Sequence, residues 1–77
     1  NAIFAKDKGT FLLKQIIKEG IKRKVKIIIC EMGYNQKNLI ETFLKEKRLK
    51  NYYFYKDLSH NYRGFVLKVN CPTAKQV

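Results

Sequence analysis

Val25-Lys26-Ile27-Ile28-Ile29-Cys30-Glu31-Met32-Gly33-Tyr34-Asn35-Gln36 is the stretch that decides the fold. Residues 25–31 form a β-branched, nearly continuous apolar run. Such a run predicts a strand buried on both faces, as in a parallel sheet. It ends in a polar, glycine-containing turn, and an amphipathic helix over residues 36–47 follows at once. In open α/β sheets, ligands sit in the crevice beyond the carboxyl ends of the parallel strands. A strand stopping at Glu-Met-Gly-Tyr-Asn-Gln delivers its polar groups to that edge.

Working outward, residues 1–9 read as a lead-in loop, with Asp7 and Thr10 as candidate N-caps. Residues 11–22 predict a helix, with Leu13, Ile16, Ile17 and Ile21 on one face and Lys14, Lys18 and Lys22 on another. Asn35 is positioned to cap the second helix, whose stripe is Leu39, Ile40, Phe43 and Leu44. Residues 51–56 predict an aromatic strand, Tyr52 and Phe54 facing one way and Tyr53 and Tyr55 the other. A polar loop over 57–61 leads to a last strand over 63–69, with Arg63, Phe65, Leu67 and Val69 on one face. The short loop makes these two strands antiparallel neighbours. The reading is a single partial domain: an αβαββ core over residues 10–71 and a loose tail over 72–77. A right-handed crossover makes the first two strands parallel, and the last strand lies antiparallel between them.

The chain has 77 residues, so it forms one domain at most. A chain this short buries only about 60% of its unfolded surface. Its 17 Lys+Arg against 6 Asp+Glu leave a formal charge of +11. That balance favours polyanions, yet the basic residues run from Lys6 to Lys75, the pattern of a solvated lysine-rich surface. Cys30 and Cys71 have no metal-ligand spacing and make no disulfide framework. Cys30 ends an apolar strand and reads as a reduced core thiol. The apolar run at 27–30 is far short of the ~20 residues a membrane span needs. No signal peptide is visible, and the expected location is the cytoplasm.

Few residues suggest catalysis. Glu31 and Gly33 read first as a carboxylate paired with a lysine and a turn-forming glycine, and Gln36 as a helix-start residue. His60 shares its loop with Asp57 and Ser59, but a catalytic triad is a spatial arrangement and not a local run. One histidine and two distant cysteines cannot supply four zinc ligands. Lys50 and Lys56 flank the aromatic strand, which could stack bases; the simpler reading is a strand with one face in the core. Arg63 is expected to pair with Asp57 across the hairpin.

The order of elements is similar to the last third of a class I S-adenosylmethionine-dependent methyltransferase, a Rossmann-like fold whose sheet ends with an antiparallel strand inserted between the last two parallel ones. Three segments bring the likeness closer to the release-factor glutamine methyltransferases (PrmC/HemK). Asn1-Ala2-Ile3-Phe4-Ala5, a polar turn to Gly9 and a helix resemble the segment after that family's catalytic loop. Cys30-Glu31-Met32-Gly33-Tyr34 with Gln36 resembles its Glu-x-Gly-x-x-Gln ending of the fifth strand. Tyr55-Lys56-Asp57-Leu58 with Arg63-Gly64-Phe65-Val66 resembles its terminal hairpin. Ser59-His60-Asn61-Tyr62 departs from the family, which often has a Gly-x-Asp-like loop before the arginine. The likeness covers about residues 1 to 69 and marks Glu31, Gly33, Gln36 and Arg63 as family-motif positions with structural roles.

The resemblance implies a parent enzyme that moves a methyl group from S-adenosylmethionine to the glutamine of a Gly-Gly-Gln motif in peptide-chain release factors. Within these 77 residues there is no nucleotide-binding glycine loop, and the family's Asn-Pro-Pro-Tyr motif is also absent. The chain is therefore expected to be a C-terminal fragment with no catalytic residue, no cofactor-binding residue and no metal ligand of its own. Two further expectations follow. Nucleic-acid binding is weak and non-specific. The fragment dimerises or self-associates, because the strand at 25–31 would lack a partner on its outer edge. The alternatives are a free-standing basic αβαββ module that binds RNA or the ribosome, and a fragment of another class I methyltransferase.

Overall fold

A computed structural model describes residues 2–69. Four strands and two helices make up its regular elements, with a short 3-10 turn. Strand β1 (Ala2–Ala5) leads to helix α1 (Thr10–Lys22) and strand β2 (Ile27–Glu31). A 3-10 turn (Tyr34–Gln36) then opens helix α2 (Lys37–Glu46), and strands β3 (Tyr52–Lys56) and β4 (Tyr62–Lys68) close the fold. This is a small α/β domain with an open, mixed sheet in the order β1-β2-β4-β3. β1 and β2 are parallel, and β4 runs antiparallel to both β2 and β3. The expected insertion of the last strand between the first two predicted strands is thus observed.

Residues 1–9 are not simply a loop. Ala2–Ala5 pairs in register with Ile27–Cys30. The outer edge of β2, expected to be bare, is covered by the chain itself. A four-residue apolar segment becomes a strand here because β2 offers it a row of unpaired amides and carbonyls. The open edge of the sheet passes to β1. The expected tail at 72–77, and Cys71, lie outside the described residues.

Both helices cover one face of the sheet. Ile28 and Cys30 of β2 and Phe65 and Leu67 of β4 are fully buried there, against Leu13 and Ile17 of α1 and Ile40 and Leu44 of α2. Tyr52, Phe54 and Tyr62 close the β3 side with edge-on ring contacts at 5.8 and 6.2 Å. Gly20 lets α1 approach β2: a Cβ there would overlap the Ile28 side chain and stand 3.2 Å from Val25 Cγ2. The other face of the sheet carries Phe4, Ile27, Ile29, Val66, Tyr53 and Tyr55 without helical cover. Tyr53 is 57% exposed and Phe4 76%.

Both helices end in the same way. Val25 N–H donates to Gly20 O and Lys24 N–H to Ile21 O. Leu49 N–H donates to Leu44 O and Arg48 N–H to Lys45 O. These pairs satisfy the last carbonyls of each helix in Schellman motifs. The motif needs a left-handed residue, usually glycine. Here Lys24 (φ 58°) and Arg48 (φ 60°) take that place.

The expected caps do not form. α1 starts at Gly9 with no side-chain cap, and Asp7 and Thr10 do not serve as one. Asn35 caps nothing either, since it lies inside the 3-10 turn and α2 starts without a side-chain cap. A bulge also alters the last strand. Tyr55 pairs with Gly64 but Lys56 pairs with Tyr62, so Arg63 is the extra residue. Tyr62 therefore joins the core side, and Arg63 leaves the face shared by Phe65 and Leu67.

Candidate functional site

Glu31, Gly33, Gln36 and Arg63 meet at one end of the sheet, where β2 stops and β4 begins. Gly64 lies opposite Glu31 in the ladder, and Met32 N–H donates to Arg63 O at 2.8 Å. Arg63 Nη2 stands 4.0 Å from Glu31 Oε1, with both side chains about as exposed as buried. The bulge is what turns Arg63 toward Glu31 and away from Asp57, its expected partner. A pair this long and open contributes at most about 1 kcal/mol. The Tyr55 ring lies across Gly64, where any side chain would overlap it. Burial raises the Tyr55 phenol above its usual range; Glu31 adds to the rise and Arg63 opposes it. Glu31, Arg63 and Tyr55 thus form one cluster on the uncovered face.

Gln36 does more than start a helix. Its Oε1 accepts from Gly33 N–H at 2.7 Å, and its Nε2 donates to Lys8 O and Thr10 Oγ1, each at 3.1 Å. One side chain therefore ties the loop after β2 to the loop after β1. Gly33, expected to form the turn, is extended there (φ −79°, ψ 153°), a backbone conformation open to any residue. Its role is to present the N–H that Gln36 receives. The position of Gln36 in the turn was legible; its partners, 26 and 28 residues away, carry no local signal.

Beside this edge, Lys37 Nζ contacts Glu41 Oε1 at 2.7 Å and lies 5.3 and 5.1 Å from the Phe54 and Tyr62 ring centroids. The hydrogen bond holds Glu41 below and Lys37 above their usual ranges. Tyr52 O–H donates to the other Glu41 oxygen at 3.1 Å. Cation-over-ring packing anchors the start of α2 on the aromatic strand.

The hairpin loop is structural. Asp57 Oδ1 accepts from Ser59 N–H and Asn61 N–H, and His60 N–H donates to Asp57 O. His60 adopts φ 65°, the position a glycine often fills in such loops. Asp57 is occupied by backbone amides, and His60 is exposed at the loop tip. Cys30 is fully buried, and burial pushes its thiol up to about 12, which leaves it protonated and inert at neutral pH. Among the described residues, no cluster of three His, Cys, Asp or Glu could hold a metal. No described helix is long and apolar enough to cross a membrane.

The open grooves lie at the opposite end of the sheet. A groove of about 780 Å³ is lined by Lys45, Arg48, Leu49, Lys50 and Tyr52. A second, of about 350 Å³, is lined by Lys18, Ile21, Lys22, Lys47 and Leu49. Neither suits S-adenosylmethionine, whose sulfonium and ammonium would meet lysines. No family model matches the chain, and no curated protein or solved structure matches it.

Proposed function

We propose that this chain is the C-terminal part of a release-factor glutamine methyltransferase of the Rossmann-like class I fold. The observation that carries this reading is the end of β2. There the Glu31-x-Gly33-x-x-Gln36 turn closes a parallel strand, and the antiparallel β4 follows it in the sheet. The reading does not rest on a bare edge of β2, which β1 covers. In the parent enzyme the cofactor and the methyl-accepting glutamine are held by residues outside these 77. The role assigned to this chain is positional. Gln36 locks the two loops that follow β1 and β2, and Glu31, Arg63 and Tyr55 shape the wall at that edge.

The test is direct. The whole open reading frame that contains these codons is expressed and incubated with S-adenosylmethionine and a peptide-chain release factor. Mass spectrometry of the Gly-Gly-Gln peptide is expected to show one added methyl group on the glutamine. An unmodified glutamine, with the cofactor shown to bind, would exclude this substrate. Failure of the whole product to bind the cofactor at all would exclude the methyltransferase class.

A further inference from the structure

The basic residues look scattered in the sequence, but the fold collects them. Helices run antiparallel to the strands that flank them, so the C-terminal ends of α1 and α2 lie at the end of the sheet remote from Glu31 and Gln36. Six cations, Lys18, Lys22, Lys45, Lys47, Arg48 and Lys50, line the two grooves there. Leu49 lines both, so the grooves are neighbours. Arg23, Lys24, Lys26 and Lys68 add positive charge at the same end.

Opposing charge is slight. Each helix C-terminus contributes only about half a negative charge. Glu19 is engaged by Arg23 at 2.7 Å, which leaves Glu46 as the remaining carboxylate near the helix ends. The apolar lining comes from Leu49, Ile21, the half-buried Tyr52 and the methylene stems of the lysines, spread between the charged heads. A protein partner draws its affinity from a desolvated apolar or aromatic centre; here Leu49, Ile21 and Tyr52 stand among six cations. A phosphodiester backbone needs only cations at intervals along a channel. Arg48 reinforces the pattern. It occupies a left-handed position that favours glycine, and it lines the larger of the two grooves.

From these observations we infer that the paired grooves are a sequence-independent binding surface for the phosphate backbone of a nucleic acid strand. The inference stands apart from the methyltransferase reading, since its surface is at the other end of the molecule. It gives the charge of +11 a location.

The experiment uses the 77-residue chain and a fluorescein-labelled, mixed-sequence 20-nucleotide RNA, followed by anisotropy across a salt series. Three proteins are compared: the native chain, Lys45→Gln/Arg48→Gln/Lys50→Gln, and Lys6→Gln/Lys8→Gln/Lys56→Gln. The two variants carry the same net charge, and circular dichroism checks that both remain folded. Each neutralised phosphate contact is worth about fivefold at ~0.1 M salt for a single strand. The groove variant should therefore bind about 100-fold more weakly, with a log–log salt slope shallower by about 2. The remote variant should stay close to native. The molecule is 40 Å long, and at that salt charges beyond ~10 Å are screened. DNA of the same sequence should bind equally, because the contact reads only phosphate. Equal loss in both variants, or no binding by the native chain at low salt, would overturn the assignment. So would displacement of the RNA by poly-glutamate at matched charge, which would make the partner an acidic protein.

Discussion

Lys24 and Arg48 sit where glycine would relieve the backbone, and replacing them should make the protein more stable. The left-handed conformation costs an L-residue roughly 1–2 kcal/mol. Glycine removes that cost but loses about 0.4–1 kcal/mol through the freedom it restores to the unfolded chain. The surplus is about 0.5–1 kcal/mol per site. In a domain of this size, 1 kcal/mol moves the melting temperature by about 4–8 °C. Lys24→Gly and Arg48→Gly should therefore each raise Tm by about 2–8 °C. They lie on different helices, and the double variant should be close to additive. Removing a cation from a chain of +11 could also stabilise it by easing repulsion. Lys24→Ala and Arg48→Ala separate the two causes, because alanine loses the charge but keeps the strained φ. The assay is thermal and urea denaturation followed by circular dichroism, with an unchanged urea slope confirming that only stability moved. A gain in the alanine variants equal to that in the glycine variants would refute the strain account. So would a loss in the glycine variants.

Gln36→Ala should destabilise by about 1–3 kcal/mol, because Gly33 N–H loses its acceptor in a part-buried setting; a Tm change below about 2 °C would show that water replaces the side chain at no cost. Gly20→Ala should destabilise despite the helix propensity of alanine, by up to about 2 kcal/mol once overpacking at Ile28 outweighs the ~1 kcal/mol of propensity. Adding Ile28→Val should recover part of the loss in urea denaturation, and strict additivity would argue against the clash. Cys30 is held protonated up to about 12 in the fold but loses its proton near 9 when unfolded. The native state thus keeps a proton the unfolded chain gives up, so stability falls as pH rises above about 9, by up to ~1.4 kcal/mol per pH unit. Cys30→Ala should flatten that alkaline limb, and an unchanged limb would point to the tyrosines alone. Self-association, if it occurs, should run through β1, whose outer edge has no strand partner among the described residues and whose Phe4 is exposed; Phe4→Lys should shift sedimentation toward monomer, and no shift would exclude that edge.

The long elements were legible because periodicity needs length. The stripe of α1, the buried run of β2 and the alternation of β3 each repeat enough to declare a face. Ala2-Ile3-Phe4-Ala5 is too short for any period, and its strand state depends on a neighbour 25 residues on. The bulge at Arg63 is one extra residue beside Gly64, and a glycine inside a strand often marks a bulge; simple alternation passes over it and gives that arginine the wrong face. At the candidate site, the Glu31-to-Gln36 turn was visible as a strand ending, but what Gln36 holds was not. The grooves were invisible for a similar reason. Lys18, Lys22 and Lys47 line one groove only after two helices have been laid side by side.

The sheet order has a consequence for how the chain is made. β4 is the last of the four described strands to be synthesised, yet it lies between β2 and β3 and pairs with both. Until it has emerged, β3 has no partner, and β2 has only β1. A ribosome delivering this chain from its N-terminus therefore releases helices and loose strands first. The sheet can join as one piece only when Tyr62–Lys68 arrives. A message stopped before Tyr62 would leave β1 and β2 as one pair and β3 without a ladder partner, and not a slightly shorter domain. Until β4 arrives, the inner edges of β2 and β3 stay open to pairing with another chain.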